Sequence, residues 1–205
     1  MEVFKAKEIL KNKLGYSDLS INKLKLFHNY LLEYNKRYNL ISKNTEKNIW
    51  SRHILDSAQI IDFISKEKSL KIVDFGSGAG FPGIMLAFYD ESLRFHVKLY
   101  EKSPVKRAFL ANIIEKLDIK NIHVEKDVYE YKIEADVIVC RAFKKLEKIL
   151  EISREIVKKP HKLIILKGKN AQSEINNVSL GSNYSYKIEK SITDDNSKII
   201  IVDVK

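Results

Sequence analysis

Along the first third of the chain apolar residues recur every three or four positions; beyond residue 70 they gather into short runs. From Ser20 to Tyr38, the residues Ile21, Leu24, Phe27, Leu31, Tyr34 and Tyr38 form one stripe, the spacing of a helix face. A second helical stretch starts at Thr45, with Ile49, His53 and Asp56 on one face. Residues 1–64 therefore read as helices without strands. The later runs have strand length: Ile72–Phe75, Phe95–Tyr100, Asn121–Val124, Ala135–Cys140 and Leu163–Leu166. Helices are expected from Pro82 towards Phe88, over Pro104–Leu117 and over about 144–158. The Pro104–Leu117 helix should pack through Val105, Ala108, Phe109, Asn112, Ile113 and Leu117. Two last strands, near Tyr184–Glu189 and Ile199–Val204, are separated by D-D-N-S and read as a hairpin. Alternating strands and helices imply a parallel sheet with right-handed crossovers and helices on both faces. The organisation expected is an N-terminal helical region, 1–64, ahead of an α/β domain, 65–205.

One stretch concentrates the chemistry. Lys71–Ala87 reads K-I-V-D-F-G-S-G-A-G-F-P-G-I-M-L-A and holds Gly76, Gly78, Gly80 and Gly83, four of the seven glycines of the chain. An apolar strand, a glycine turn and a helix start make a place where backbone amides approach a ligand and the helix dipole favours negative charge. Gly78, Gly80 and Gly83 spell G-x-G-x-x-G, which suits a dinucleotide. Asp74, two residues before Gly76, tips the reading. A carboxylate there can neutralise an amino-acid ammonium, directly or through water. S-adenosylmethionine carries that ammonium and NAD does not; the alternative is an aspartate that merely caps the turn. The stretch resembles motif I of the class I S-adenosylmethionine-dependent methyltransferases, which implies a Rossmann-like sheet.

In an open parallel sheet, ligands bind outside the carboxyl ends of the strands. Those ends hold Asp74, Glu101 with Lys102 and Ser103, Asp127 with Val128 and Tyr129, then Cys140-Arg141-Ala142-Phe143, and Lys167-Gly168. Glu101 follows Gly78 by 23 residues, the distance at which an acid takes ribose hydroxyls of an adenosyl or a nicotinamide cofactor. Asp127 and Val128 fit an adenine, one for its edge and one for its face. Arg141 and Lys167 sit where a substrate should lie, placed to hold phosphates or a guanine edge. No N/D-P-P-Y/F motif follows strand four, and Cys140, lacking a Pro-Cys context, reads as core. His53, Asp56 and Ser57 lie too close in sequence for a converging hydrolase triad. They read as a polar cluster joining the helical layer to the sheet, or as part of the site's rim.

Composition adds a partner and removes several classes. With 37 basic and 27 acidic residues the net charge is +10, which suits RNA, although a lysine-rich, Ile- and Asn-rich chain also follows from AT-rich coding. A single cysteine allows no internal disulfide, and the histidines have no zinc spacing. No apolar run reaches membrane length, and Met1–Leu14 is too charged for a signal segment, so a cytoplasmic protein is expected.

Five motifs occur in order: N-K-R-Y-N-L-I (Asn35–Ile41), R-H-I-L-D-S (Arg52–Ser57), V-D-F-G-S-G-A-G-F-P-G (Val73–Gly83), R-A-F (Arg141–Phe143) and L-K-G (Leu166–Gly168). Together they resemble the glucose-inhibited division protein B family, over about Leu24 to Lys205. The resemblance implies S-adenosylmethionine-dependent methylation of a guanine N7 in small-subunit ribosomal RNA, as free RNA or in an assembling subunit. No metal, no membrane and no obligate protein partner are expected from the residues. Carried over by position, the family's cofactor contacts fall on Gly76, Phe81, Glu101, Lys102, Ser103, Val128, Tyr129 and Arg141. Two departures stand out: Asp127 replaces the family's usual arginine and Cys140 its usual serine. Guanine N7 has an in-plane lone pair and no proton to lose, so a site without a general base is in keeping. An NAD-dependent oxidoreductase and a non-catalytic RNA-binding protein are the alternatives.

Overall fold

In the computed structural model, described over residues 1–89, 94–130, 132–178 and 181–205, the seven strands form one sheet. They are β1 (Leu70–Phe75), β2 (Phe95–Tyr100), β3 (Ile122–Glu125), β4 (Val137–Arg141), β5 (His161–Lys167), β6 (Tyr184–Lys190) and β7 (Lys198–Val204), in spatial order β3-β2-β1-β4-β5-β7-β6. The first five are mutually parallel, and β7 enters antiparallel between β5 and β6. The expected hairpin is present, with Lys190 opposite Lys198 at its closed end. Because β7 runs antiparallel to β5, with Lys198 opposite Lys167, the loop of Ser191 to Ser197 lies at the carboxyl end of the sheet.

The helices are α1 (Val3–Glu8, continued by a π-helical turn, Ile9–Lys13), α2 (Asp18–Asn35), α3 (Asp56–Ala58), α4 (Gly83–Tyr89), α5 (Pro104–Lys116), α6 (Leu146–Ile156) and α7 (Ala171–Asn176). The α3 turn sits inside a longer helical run of 3-10 and π turns from Lys43 to Phe63, the stretch expected from Thr45. Ser17 caps α2 by accepting from the Ser20 amide. The helix stops at Asn35, short of the Tyr38 that its stripe suggests, because the buried Asn35 side chain takes over backbone bonding. Its Oδ1 accepts from the Ile41 amide at 2.9 Å and its Nδ2 donates to Glu46. Tyr38 is left exposed. In α5 the packed face is turned from the one expected: Phe109, Leu110 and Ile113 are buried, whereas Val105 and Ala108 are exposed. No strand or helix was expected over Ala171–Asn176, where α7 forms.

Two apolar clusters fill the two sides of the sheet. On one side α1, α2, α4, α5 and the Lys43–Phe63 run pack with Ile72, Val97, Leu99 and Val139. The helical region thus shares a continuous core with the sheet, and polar ties join them: the Tyr16 hydroxyl donates to Met85 O at 2.9 Å, and Ser20 Oγ to Phe88 O at 2.6 Å. On the other side α6 and α7 pack on Ile138, Cys140, Leu163, Ile165 and Ile200. Among the described residues, no helix is long and apolar enough to cross a membrane, and no group of His, Cys, Asp and Glu has a metal-binding arrangement.

Candidate functional site

The glycine loop leaves β1 at Phe75 and is fastened to the neighbouring strand. The Gly76 and Ser77 amides donate to Tyr100 O at 2.9 and 3.0 Å, and the Gly78 amide to Glu101 Oε2 at 2.8 Å. The other oxygen of Glu101 accepts from the Ser103 amide at 2.8 Å. The end of β2 therefore sets the loop's height above the sheet. Two of the glycines differ in purpose. Gly78 (φ +59°) faces open space, since a Cβ there would meet nothing closer than Gly76 O at 3.9 Å. Gly80 (φ +95°) is a packing position, where a Cβ would lie 2.4 Å from Ile84 Cδ1.

Asp74 does not meet the expectation of a direct ammonium contact. It has no accessible surface and lies beneath the loop, with Oδ2 accepting from the Gly83 amide at 2.9 Å. It fastens the start of α4 to β1, as in the turn-capping alternative. Its Oδ1 is buried with no hydrogen-bond partner among the described residues, and burial pushes its pKa from 3.8 up to about 7.

Two cavities adjoin at the carboxyl ends of β1–β4, sharing Gly76, Lys106 and Ala142 in their walls. One, about 280 Å³, is lined by Glu101, Lys102, Asp127, Val128, Tyr129 and Phe143. The other, about 380 Å³, is lined by Leu40, Ile41, His53, Gly78, Phe81 and Arg141. Residues expected from the ends of three different strands and from the loop thus meet on one continuous cleft. Asp74, Gly80 and Ser103 line neither. Ser103 is instead the N-cap of α5, its Oγ accepting from the Lys106 amide at 3.5 Å, with Pro104 following at the first helical position. Asp127 lines the smaller cavity and its carboxylate accepts from the Tyr129 amide at 3.4 Å.

Arg141, whose side chain is only 17% exposed, is held at the cleft by several contacts. Its guanidinium lies 4.8 Å over the Phe81 ring, and it donates to Arg52 O at 3.0 Å and to His53 Nδ1 at 2.8 Å. The tautomer of His53 follows from its partners. Thr45 Oγ1 gives its proton to Ser42 O, so it accepts from His53 Nε2 at 2.8 Å, and Nδ1 is left to accept from Arg141. Burial and the Arg141 and Arg52 charges hold His53 at about 3, so the ring is neutral and can take that bond. Asp56 Oδ2 balances the guanidinium at 3.6 Å, while its Oδ1 accepts from Thr193 Oγ1, Gln59 Nε2 and Ser191 Oγ. Arg52 pairs with Asp194 at 2.9 Å. The R-H-I-L-D-S segment is thus the joint between the helical layer, Arg141 and the β6–β7 loop. Ser57 Oγ is buried with no hydrogen-bond partner among the described residues, and the two ring nitrogens of His53 are taken by Thr45 and Arg141, which leaves no triad.

Lys167 lines a cavity with Arg141, but its side chain is 10% exposed and its ammonium is already bonded to Glu174 Oε2 at 2.8 Å and to Lys144 O. The same Glu174 oxygen accepts from the Leu146 amide, so Lys167 and Glu174 clamp the loop between β4 and α6. That loop carries Ala142, at the left-handed φ of +51°, and Phe143, whose ring lies over Gly76. Burial raises the Cys140 thiol well above its ordinary pKa, and the residue is inert core. His53, read from sequence as part of a polar cluster or of the site's rim, stands in the cleft wall. Leu40, Ile41, Phe143 and Lys106 were not assigned to the site; the first three lie inside the quoted motifs, whereas Lys106, on α5, lies in none.

The comparisons with known proteins agree on one family. The family model described as GidB, rRNA small subunit methyltransferase G, matches residues 20–199. Proteins named ribosomal RNA small subunit methyltransferase G are similar over nearly the whole chain. That of Orientia tsutsugamushi (strain Ikeda) is 35% identical, covering 90% of this chain and 91% of its own. That of Rickettsia prowazekii is 37% identical (88% and 92%), and that of Pelagibacter ubique 34% (97% and 95%). In fold, the chain is similar to M. jannaschii TYW2 in complex with AdoMet, with a TM-score of 0.55, 20% identity and 77% of each chain covered. It is likewise similar to a SAM-dependent methyltransferase from Aquifex aeolicus, with a TM-score of 0.53, 16% identity, and 72% and 88% covered. With its strand order, its glycine loop and these relatives in agreement, the chain belongs to the GidB family, the rRNA small subunit methyltransferases G.

Proposed function

We propose that this protein methylates a guanine N7 of small-subunit ribosomal RNA from S-adenosylmethionine, acting in the cytoplasm and without a general base. The observation that carries the reading is the continuous cleft, in which the Glu101, Asp127 and Val128 wall runs through Gly76 to Phe81 and Arg141. The residues fit the cofactor's parts. Val128 offers an apolar face and Asp127 an acceptor for an adenine. Each Glu101 oxygen holds one backbone amide and keeps a lone pair for ribose hydroxyls. The open side of Gly78 admits the chain that follows. When bound, S-adenosylmethionine supplies an electrophilic sulfonium methyl.

The remaining work falls to positioning. Arg141 lines both the 380 Å³ cavity and a third of about 160 Å³, together with Asp56, Lys167, Ser191 and Lys198. Held by His53 and the Arg52 carbonyl, it presents its unused N–H groups between donor and acceptor sites, where a guanine edge or a phosphate would be fixed. The N7 lone pair attacks without losing a proton, so orientation and exclusion of water carry the rate, a contribution of up to roughly 7–11 kcal/mol. The neutral His53 and the clamped Lys167 are not needed as bases. Transfer of labelled methyl to small-subunit RNA, followed by mapping of the product, tests the reading; methylation of an exocyclic amine, a ribose or a pyrimidine carbon would defeat it. Calorimetry with S-adenosylmethionine and with NAD separates the dinucleotide alternative, which expects binding of NAD.

A further inference from the structure

The sheet has one bare region, and it is basic. In a parallel sheet both faces are ordinarily covered by helices. Here the connection from β3 to β4 contributes, among the described residues, only a 3-10 turn at Val128–Glu130. On the face opposite α4 and α5, Val73, Phe75 and Tyr100 pack with Val128, Ile133 and Ala135, while Lys71, His96, Lys98 and His123, at the start of β1 and along β2 and β3, are left exposed. The register puts the residues of this face in rows: Lys71 beside His96, then Val73 beside Lys98 and His123, then Phe75 beside Tyr100 and Glu125. The strand β2 shows the effect in its burial, with Phe95, Val97 and Leu99 inside and His96 and Lys98 exposed. A groove of about 590 Å³ lies on this face, edged by Lys71, His96, Lys98, Lys120, His123 and Lys132.

We propose that this groove is an auxiliary docking surface for the RNA substrate, gripping phosphates at a distance from the reacting guanine; it rests on the RNA methyltransferase reading above. Charge favours it. Four lysines face two acids, Glu125 and Glu134, in the groove wall. Lys71 pairs with Glu134 and Lys120 with Asp118, while Lys98 and Lys132 form no ion pair among the described residues. The histidines add ring N–H donors. No Phe, Tyr or Trp ring is exposed on this face among the described residues, Tyr100 being 3% exposed. The surface therefore suits the backbone of RNA rather than stacked bases. Position favours it too, because Tyr100 walls both the groove and the 280 Å³ cofactor cavity, so one polyanion can lie along the face and reach the cleft.

The test is the double variant Lys98→Gln, Lys132→Gln in the full chain. Affinity for naked small-subunit RNA is measured across a salt series, beside S-adenosylmethionine affinity and thermal melting. Both lysines are exposed, so folding and cofactor binding should be unchanged. RNA affinity should fall about fivefold or more, and the slope of log affinity against log salt should become shallower by about 1 per lysine. The KM for RNA should rise with the single-turnover rate at saturation preserved. Unchanged RNA affinity and slope in the folded variant overturn the proposal. So does a loss seen only with the assembled subunit, which would assign the groove to a ribosomal protein. Failure of the native protein to transfer methyl would instead count against the reading of its activity, since the groove is read from RNA affinity alone.

Discussion

Replacing Gly78 and Gly80 separately by alanine should divide cofactor binding from stability. Both residues have positive φ, so either alanine adds strain of about 1–2 kcal/mol. At Gly78 that is the whole structural cost, because the nearest atom to the new Cβ is 3.9 Å away. At Gly80 the Cβ would lie 2.4 and 2.8 Å from Ile84 and 3.2 Å from Leu110, and overpacking adds about 1–3 kcal/mol. For a domain of this length each kcal/mol lowers Tm by about 2–4 °C, so Gly80→Ala should melt several degrees below Gly78→Ala. Affinity for S-adenosylmethionine should order the other way. The Gly78 methyl projects into the cleft and should weaken binding about tenfold, or about 1.4 kcal/mol. Gly80→Ala, packed away from the cleft, should weaken it less in the fraction that folds. Melting curves and calorimetry on the same preparations provide both numbers. Native affinity in folded Gly78→Ala, or equal melting of the two variants, would refute the reasoning.

Four other outcomes are expected. Asp74, raised from 3.8 to about 7 in the fold, keeps its proton natively where the unfolded chain has lost it. Its contribution therefore declines as pH rises from about 4 to 7, by about 4 kcal/mol in all, and is flat above that; Asp74→Asn should remove this slope from denaturant titrations. Lys167→Ala should lower stability by about 2 kcal/mol through loss of the Glu174 clamp while changing RNA affinity less than about twofold, and a large RNA effect in a stable variant would restore the substrate role. Arg141→Lys keeps the charge but loses the fork that joins His53 and Arg52, so methyl transfer should fall at least about tenfold with melting little altered. Single-turnover rates at saturation should stay nearly flat from about pH 7.5 to 9; a rising limb abolished by His53→Gln would identify a base and sink the mechanism.

The parts of this protein that were legible in sequence are those decided over short distances. Hydrophobic period separated the helical region from the strands, and the strand ends named Glu101, Asp127, Val128 and Arg141, because in a parallel sheet the carboxyl ends are the ligand edge whatever the packing. Motif I fell where an apolar strand meets a glycine turn, which is local chemistry. What depended on partners far along the chain was not legible. Whether Asp74 is exposed is decided by α4 folding over it, and whether Lys167 is free is decided by Glu174 on a helix that no pattern announced. His53 became the support of Arg141 only when the helical layer closed on β4, 88 residues away. The bare basic face has a trace in the alternation of F-H-V-K-L-Y, apolar inward and polar outward. That alternation takes on meaning only once the fold leaves no helix to cover it, since a side chain's exposure is a property of its neighbours and not of its own strand.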